Sequence, residues 1–257
     1  MNGLINNYPD DFVGIQLHLG DAYATTWTAQ RGSFYGVSGY PDAWFDGILE
    51  RSGTYTDDSQ AYNYYNSARS TRAAVPTDTT IELSVVRTAE QTFDVTCTIA
   101  IEAGGVGKDL KAHIPLCLDH YPSSGDDRYR NCVVDHKASA LFTLAAGESY
   151  SFTKEFTLSG ASWTNKEDTK FVAFVRNQGS SGPQEIHNAT QLAWPFYVDG
   201  DVDRDGDVEI SDLAAMLGTY GTCSGDADYV PEADFNWDQC ITISDLAVLL
   251  GNYGYTP

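Results

Sequence analysis

Six acidic side chains fall within twelve residues of one segment, GDVDRDGDVEISDL, which spans residues 200–213. Like charges at this spacing repel one another unless a cation lies between them. Carboxylate and carbonyl oxygens are the ligands that a hard divalent cation takes in proteins. The segment therefore predicts either an oxygen cage for a metal ion or a solvated acidic linker.

The spacing within this segment is that of a calcium-binding loop. Such a loop supplies side-chain oxygens from positions 1, 3 and 5, a backbone carbonyl from position 7 and a carboxylate from position 12. Counting from Asp201, a glycine, Gly206, stands at the sharp turn of the loop. The predicted ligands are Asp201, Asp203, Asp205, the carbonyl of Asp207, and Asp212.

A second copy follows 33 residues later, because ADFNWDQCITISDLAVLLGNYG repeats the pattern of GDVDRDGDVEISDLAAMLGTYG. Gln239 replaces the turn glycine, so a residue with a side chain must adopt positive φ, and we expect weaker Ca²⁺ binding there. Mg²⁺ would keep more water and fewer protein ligands, which favours Ca²⁺ for these oxygen-rich loops. The predicted ligands of the second loop are Asp234, Asn236, Asp238, the carbonyl of Cys240, and Asp245.

Each loop leads into a predicted amphipathic helix. Apolar residues recur at helical spacing after both loops, Ser-Asp stands near each helix start, and Gly follows each helix end. A solvated linker would not carry two such helices in register, so the metal-binding interpretation is favoured. The apolar positions are Leu213, Met216, Leu217 and Tyr220, then Leu246, Leu249, Leu250 and Tyr253.

Charge is unevenly distributed along the 257 residues. The 15 basic and 36 acidic residues give a formal net charge of -21, which argues against nucleic acid and anionic membrane surfaces as partners. From Asp199 onwards, thirteen acidic residues stand against one basic residue, Arg204, so residues 199–257 form a separate predicted module. The sequence has no apolar run of about 18 residues, so no membrane span is predicted.

Residues 199–257 closely resemble a dockerin, the paired calcium-loop module that plugs into cohesin domains in extracellular bacterial assemblies. The resemblance covers both loops, both helices and the duplication. It implies two antiparallel helices related by pseudo-twofold symmetry, which fold when Ca²⁺ is bound, and a cohesin-like partner. It also implies that partner choice is read at the helix starts, which here are Ile210, Ser211, Ile243 and Ser244.

The front of the chain, residues 1–75, has a different pattern. Residues 11–20 alternate and predict a buried strand, and residues 25–35 predict a short helix. The segment FYGVSGYPDAWFDG then resembles the second half of a thioredoxin-like fold. That resemblance implies a cis peptide bond before Pro41, a hairpin through Asp46 and Gly47, and a helix from about Asp57 to Ala73. A trans proline in an ordinary turn is the alternative.

This front segment departs from thioredoxin-like enzymes at the redox centre. Such enzymes need a low-pKa thiolate, typically from Cys-x-x-Cys, and none of the five cysteines forms that pair or precedes Pro41. The first strand and most of the first helix of that fold are also missing, so we expect that the precursor began earlier. A thiol-disulfide oxidoreductase whose Cys-x-x-Cys half is missing remains an alternative function.

Residues 76–198 contain alternating β-branched and aromatic segments separated by turn residues, which predicts an antiparallel β-sandwich. Over about residues 5–196 the chain resembles a family of bacterial outer-membrane-associated proteins, through Gly-Tyr-Pro, KAHIPLCLDHY, FVAFVRNQ and EIHNATQ. The predicted fold is therefore multidomain and mainly β. Its parts are a partial thioredoxin-like α/β remnant (1–75), the antiparallel β-sandwich (76–198) and a small α-helical calcium module (199–257).

Cysteine spacing predicts two disulfides. Cys117 and Cys132 fall on the two arms of a predicted hairpin around SSGD, where cross-strand cysteines can approach bonding distance, with free thiols as the alternative. Cys223 and Cys240 flank the gap between the calcium repeats, and Cys97 is left over. Two disulfides together with calcium loops place the protein outside the cytoplasm, in the extracellular space or at the cell surface.

Other chemistry is weakly indicated. A zinc site is disfavoured because side chains alternate faces along a strand, which separates its candidate ligands. Asp119 and Asp126 are more typical of a solvated turn than of an acid pair, and no nucleophile elbow, phosphate loop or His-Glu-x-x-His motif occurs. Aromatic residues make up 12% of the chain, which leaves a sugar-binding surface as an alternative. The zinc candidates are His113, Cys117, His120, Cys132 and His136.

The sequence therefore predicts a secreted, non-catalytic calcium-binding protein that acts in extracellular assembly through its dockerin-like tail. Its partner is a cohesin-like domain or another copy of the same chain. Docking onto a neighbouring copy would give a head-to-tail contact that does not close, and hence a filament. A carbohydrate-binding accessory protein is the further alternative.

Overall fold

The computed structural model describes residues 2–53, 55–122, 129–179 and 182–256. The chain is mainly β, with antiparallel sheets and a few short helices. It divides into two compact units. The first unit comprises Met1–Ser84, Thr96–Lys154 and Gly160–Ala193, and the second comprises Val85–Val95, Glu155–Ser159 and Trp194–Pro257.

The first unit opens with helices α1 (Asn2–Asn7), α2 (Thr26–Tyr35) and α3 (Asp58–Ala73). Between α2 and α3 lies an antiparallel hairpin of β1 (Asp42–Phe45) and β2 (Leu49–Ser52). The predicted helices over residues 25–35 and 57–73 are confirmed, and the Tyr40–Pro41 peptide bond is cis, as predicted.

Local capping explains where these two longer helices begin. At α2 the Thr25 hydroxyl accepts the Thr28 N–H at 3.1 Å, and the Thr28 hydroxyl accepts the Thr25 N–H at 2.8 Å. At α3 the Asp57 carboxylate accepts the Gln60 N–H at 2.9 Å. Each bond satisfies an amide that the first helical turn leaves without a backbone partner.

Residues 11–20 do not form the predicted strand. In this segment a single residue, Gln16, pairs with Cys132 in an isolated bridge. The alternation in the sequence indicates that one face of this segment is apolar. It does not supply the neighbouring strand whose hydrogen bonds a β-strand requires. That face, Val13, Ile15 and Leu17, packs against the buried side chains of Cys117, Val133 and Val172.

Two sheets follow, in agreement with the predicted antiparallel β-sandwich. One has the order β3-β4-β8, and the other has the order β10-β9-β5-β6 with β7 also paired to β5. Side chains of β4 alternate strictly between partly buried and buried, so one face of that strand lies in the core. The strands are β3 (Thr79–Ala89), β4 (Thr92–Ile101), β5 (Lys108–Leu118), β6 (Cys132–Ala138), β7 (Phe142–Leu144), β8 (Ser149–Thr157), β9 (Thr169–Asn177) and β10 (Ile186–Ala193), and a short helix α4 spans Ala161–Thr164.

The predicted disulfide between Cys117 and Cys132 is wrong: both thiols are free and buried. A register shift in the β5–β6 pairing places Cys132 opposite Leu118, and Cys117 opposite Val133. Because directly opposed residues share a face and neighbours along a strand do not, the two thiols lie on opposite faces of the sheet. The hairpin tip around SSGD lies outside the described residues.

The second unit contains helices α5 (Ile210–Thr219) and α6 (Ile243–Asn252), each preceded by one acidic loop. The predicted disulfide between Cys223 and Cys240 is confirmed. One buried apolar cluster of this unit is formed by Val202, Val208, Met216, Ala233, Ile241 and Leu249. Among the described residues, none of the helices combines the length and apolar character that crossing a bilayer requires.

Candidate metal centre

Three predicted ligands converge in the first acidic loop. One carboxylate oxygen from each of Asp201, Asp203 and Asp205 lies within 4.8 Å of the other two. The Arg204 N–H donates to Asp201 at 2.6 Å and the Gly206 N–H does so at 3.0 Å, which curls the backbone around this carboxylate. Gly206 reaches φ 100° at the turn. The loop thus presents a small group of anionic oxygens of the kind that a hard cation binds.

Asp212, the predicted ligand at loop position 12, is fully buried near the start of α5. Its Oδ1 accepts the N–H groups of Val202 at 2.7 Å and Asp203 at 3.2 Å, and its Oδ2 accepts that of Glu209 at 2.8 Å. These bonds tie the helix start to the first residues of the loop. Among the described residues, Asp212 and the Asp207 side chain stand outside the group of three converging carboxylates.

The second loop repeats this arrangement. Asp245 is fully buried near the start of α6 and accepts three backbone N–H groups at 2.9 to 3.2 Å, as Asp212 does in the first repeat. The Asn236 side-chain oxygen accepts the Asp238 N–H at 2.9 Å, and Asp238 accepts the Cys240 N–H at 2.9 Å. The duplicated sequence therefore yields a duplicated hydrogen-bond pattern.

The turn of the second loop is made without a glycine. Gln239 lies at φ 73°, in the region that favours glycine, and its N–H donates to Asp234 Oδ2 at 2.9 Å. The same bond joins Gly206 to Asp201 in the first loop. The predicted positive φ at Gln239 is confirmed. The weaker affinity expected from it stays a prediction.

Asp234 supplies a test of whether these loops fit a cation. The residue is 1% exposed, and its Oδ1 is buried without a hydrogen-bond partner. Its other oxygen accepts bonds from the Gln239 N–H and the Tyr229 hydroxyl. A buried carboxylate oxygen without a partner is costly unless a cation or a proton compensates it. The residues present therefore fit a divalent cation.

Electrostatics in the first loop favour positive charge as well. Burial raises the pKa of the Asp201 carboxyl above its usual value, and the negative charges of Asp212 and Asp205 add to the rise. Hydrogen bonds from Gly206 and Arg204 oppose it. A carboxylate with a raised pKa is a site where added positive charge is stabilising.

Tyr229 is a site residue that the sequence pattern did not indicate. Its hydroxyl donates to Asp234 Oδ2 at 2.7 Å, and burial together with this bond raises the pKa of the phenol. The tyrosine precedes the loop by five residues, so no loop template includes it. Only the folded segment between the repeats brings it to the carboxylate.

The predicted partner-binding residues lie at the helix starts as expected. Ile210 and Ile243 are 64% and 65% exposed, which is unusual for two isoleucines at equivalent positions. Ser244 is exposed and Ser211 is partly buried. Two large apolar side chains are therefore presented to solvent by the two halves of the duplication.

The histidines considered for zinc form a different cluster, in the first unit. His113 Nδ1 lies 2.9 Å from His136 Nε2, and Arg176 Nε donates to His113 Nε2 at 3.1 Å. Since the arginine is always a donor, the His113 proton is on Nδ1 and donates to His136. Among the described residues, neither histidine belongs to a group of three metal-ligating side chains. The Trp27 ring stacks on His136 at 4.0 Å.

Charge and burial keep this histidine pair neutral. Burial lowers the pKa of His136 to about 3, and it lowers that of His113 well below the ordinary value. Among the described residues, the charged groups with the largest effect on the pair are cationic, namely Arg31, Lys111, Lys137 and Arg176. The cluster thus opposes protonation.

Thiol and carboxyl chemistry find little support in the first unit. Burial raises the pKa of Cys97 and of Cys132 to about 12, and it raises that of Cys117 as well, so none of these thiols is an activated thiolate. Asp119 accepts bonds from Arg130 Nε at 2.8 Å and the Asn131 N–H at 3.0 Å, which is a structural role. Asp126 lies outside the described residues.

Comparison with known proteins yields slight likenesses. No protein-family model matches the chain, and no curated protein matches it. HBP35 of Porphyromonas gingivalis aligns at TM-score 0.48 and 20% identity, over 63% of this chain and 55% of that one. A domain of the outer membrane lipoprotein Omp28 from the same organism aligns at TM-score 0.30 and 16% identity, over 46% of this chain and 90% of that one.

A third solved structure, a beta-glucuronidase of Bacteroides uniformis, aligns at TM-score 0.28 and 14% identity, over 44% of this chain and 13% of that one. The chain thus spans little more than half the length of HBP35, the first of these structures. None of the three likenesses assigns a family or an activity to this chain.

Proposed function

We propose that this chain is a non-catalytic, extracellular assembly protein whose residues 199–257 bind two Ca²⁺ ions in a dockerin-like module and dock onto a protein partner. The observation that carries the proposal is the buried Asp234 Oδ1 without a hydrogen-bond partner, inside a loop of oxygen ligands. Asp201, Asp203 and Asp205 converge in the equivalent loop. Ca²⁺ takes six to eight oxygen ligands at flexible geometry, which suits both loops.

Docking is supported by the exposed face of each helix. Leu217 and Leu250 are 56% and 55% exposed, and Tyr220 and Tyr253 are 45% and 47% exposed. Together with Ile210 and Ile243, these side chains form two matching apolar sets 33 residues apart. Exposed large apolar side chains grouped on one element are typical of protein-binding surfaces.

The partner in this proposal is a cohesin-like domain or a second copy of the chain. A cell-surface or extracellular location accords with the Cys223–Cys240 disulfide, since such bonds persist in oxidising compartments. The front of the chain is proposed to be a thioredoxin-like segment that acts, with the sandwich, as the body to which the docking module is attached.

Calorimetric titration with Ca²⁺ tests the metal sites on the full chain. Wild type should bind two ions, and Asp201→Ala combined with Asp212→Ala should leave only the second site, because two of the first loop's ligands are removed. Asp207→Ala is the matched control, since it retains the backbone carbonyl that is the predicted ligand and should still bind two ions. Two-site binding by the double variant would refute the assignment.

Light scattering of the full chain, in millimolar Ca²⁺ and then in excess EDTA, tests docking between copies. Large species that appear only with Ca²⁺ would support self-association, and Ile210→Ser with Ile243→Ser should then abolish them. A monomer in both buffers would exclude self-association at the concentrations used and leave a separate cohesin-like domain as the proposed partner. Large species that persist in EDTA would count against a calcium-dependent docking module.

A further inference from the structure

The two acidic loops are each hydrogen-bonded to the segment that follows the other repeat's helix. In the first loop, the Val208 N–H donates to the Tyr255 carbonyl at 3.0 Å and the Val208 carbonyl accepts the Gly254 N–H at 2.8 Å. In the second loop, the Ile241 N–H donates to Thr222 at 2.9 Å. The Ile241 carbonyl accepts the Gly221 N–H at 2.8 Å.

Each of these two pairs of bonds is a brace: it fixes the orientation of the peptide group whose carbonyl is the predicted backbone ligand of that loop. Val208 and Ile241 follow Asp207 and Cys240, whose carbonyls are the ligands predicted at loop position 7. A trans peptide is planar, and its C=O and N–H point in opposite directions. A bond that fixes the Val208 N–H towards Tyr255 therefore fixes the Asp207 carbonyl on the other side of the peptide.

The two residues that make these bonds, Val208 and Ile241, are also held in place by packing. Val208 and Ile241 are both 0% exposed and belong to the apolar core of the second unit. Residues that are buried and bonded on both backbone groups have little freedom to reorient. The orientation of each ligand carbonyl is therefore set by the opposite repeat.

One of the two braces is also covalent. Cys240, which bears the second loop's ligand carbonyl, is joined by a disulfide to Cys223, directly after Thr222. The Ser224 N–H also donates to the Gln239 carbonyl at 2.8 Å. The equivalent positions in the first repeat, Asp207 and Thr256, cannot form such a crosslink. The loop that lacks the turn glycine is thus the loop that has the crosslink.

We propose that each calcium loop is positioned by the opposite repeat, with Gly254–Tyr255 orienting the Asp207 carbonyl and Gly221–Thr222 orienting the Cys240 carbonyl. The proposal rests on the proposed calcium-binding function. It makes each loop dependent on the backbone of the opposite repeat, since the residues after the opposite helix orient its ligand carbonyl. Gly221, Thr222, Gly254 and Tyr255 are positioning residues in this arrangement, because their backbone groups bond to Val208 and Ile241, which follow the predicted ligand carbonyls.

Two glycines provide a matched pair of variants. Gly221 and Gly254 lie at φ 86° and φ 88°, and a Cβ added at either would meet nothing within 4 Å. Alanine at either site therefore strains the backbone without a steric clash. The free energy of this strain corresponds to a change of about tenfold in an equilibrium constant. Each variant disturbs one brace and leaves both sets of ligand side chains intact.

The experiment measures each loop alone by calorimetry on the full chain. Asp238→Ala leaves the first loop as the binding site, and Asp205→Ala leaves the second. Gly254→Ala should weaken Ca²⁺ about tenfold at the first loop and leave the second within about twofold. Gly221→Ala should weaken the second loop, and more strongly when Cys223→Ser and Cys240→Ser remove the crosslink.

The outcomes separate the two proposals. If each glycine variant weakens the loop of its own repeat, or neither loop, the bracing proposal is overturned while calcium binding stands. If wild type binds no Ca²⁺ at either loop, the proposed function fails first. If a glycine variant loses its helical circular dichroism signal in saturating Ca²⁺, the brace proposal is tested instead by hydrogen exchange of the Val208 and Ile241 amides in the wild-type protein. Protection of both in Ca²⁺ supports the braces, and rapid exchange of either overturns them.

Discussion

In millimolar Ca²⁺, replacement of Asp234 by asparagine should lower the melting temperature of the second unit, whereas in excess EDTA the same change should raise it. The sign changes because the carboxylate serves two opposite roles. With the metal bound, its charge and its buried Oδ1 contribute a ligand. Without the metal, a buried oxygen without a partner destabilises the fold, and the neutral amide removes that charge.

The expected magnitudes are unequal. A ligand present at 100 times its dissociation constant stabilises the fold by about 2.7 kcal/mol, so loss of one site should cost roughly that amount in Ca²⁺. In EDTA the gain should be about 1 kcal/mol, because the amide removes a buried charge while a polar atom stays at the same position. Thermal unfolding followed by circular dichroism measures both.

Asp228→Asn is the control for this experiment. Asp228 is an exposed acidic residue between the two repeats, so its replacement makes the same change in net charge outside the loops. It should shift both melting temperatures slightly and in the same direction. If Asp234→Asn is destabilising in both buffers, Asp234 is only a hydrogen-bond acceptor for Gln239 and Tyr229. A gain in both buffers would mean that no cation binds there.

The second large effect is expected on acidification, in the first unit. An unfolded histidine titrates near pH 6.5, whereas burial lowers the pKa of folded His136 to about 3. The unfolded state therefore takes up protons first, and the stability contributed by neutral His136 is complete above pH 6.5 and falls as the pH drops towards 3. At pH 5 the loss from His136 should be about 2 kcal/mol relative to pH 7.

Burial is the main physical reason for the lowered pKa values of the pair, and the cationic surroundings add to it. His136 accepts from His113, which in turn accepts from Arg176, so a proton on either imidazole would disrupt this chain of hydrogen bonds. It would also add a charge near Arg31, a residue that is 5% exposed and whose Nη2 is buried without a hydrogen-bond partner. His113 should add to the loss, since burial lowers its pKa in the same direction.

Urea unfolding at pH 7, 6 and 5 in saturating Ca²⁺ measures this dependence, followed by tryptophan fluorescence, to which Trp27 stacked on His136 contributes. His136→Gln should be less stable than wild type at pH 7 but should lose about 2 kcal/mol less between pH 7 and pH 5. His120→Gln, in the turn after β5, controls for the removal of a histidine elsewhere. Equal slopes for wild type and His136→Gln would contradict the expected role of the pair.

The two acidic loops were predictable because their information is local. The predicted ligands of one loop lie within twelve consecutive residues, so their spacing along the chain sets their arrangement in space. The duplication then predicted the second loop, both helices and the positive φ at Gln239. The Cys223–Cys240 disulfide also followed from the position of the two cysteines between the repeats, whereas the cis bond before Pro41 was implied by the resemblance of its segment to a thioredoxin-like fold.

Features that depend on pairing between distant segments were not predictable in the same way. A single-residue register shift between β5 and β6 separates Cys117 from Cys132, although the sequence places both on one predicted hairpin. Residues 11–20 alternate like a strand, but no neighbour provides a ladder, and only Gln16 pairs. An alternating sequence indicates that one face of a segment is buried. It does not determine which other segment, if any, forms hydrogen bonds with it.

By itself, the sequence determined the composition of residues 199–257: two acidic loops, two helices and the oxygen ligands that each loop can offer. Only the tertiary structure decided that His113 and His136 meet beside Arg176, because that contact requires the strand order β9-β5-β6. Likewise, only the fold brought Gly254 and Tyr255 to Val208, and Tyr229 to Asp234. Spacing along a chain fixes what neighbours can do together, whereas contacts between remote segments depend on how the whole chain packs.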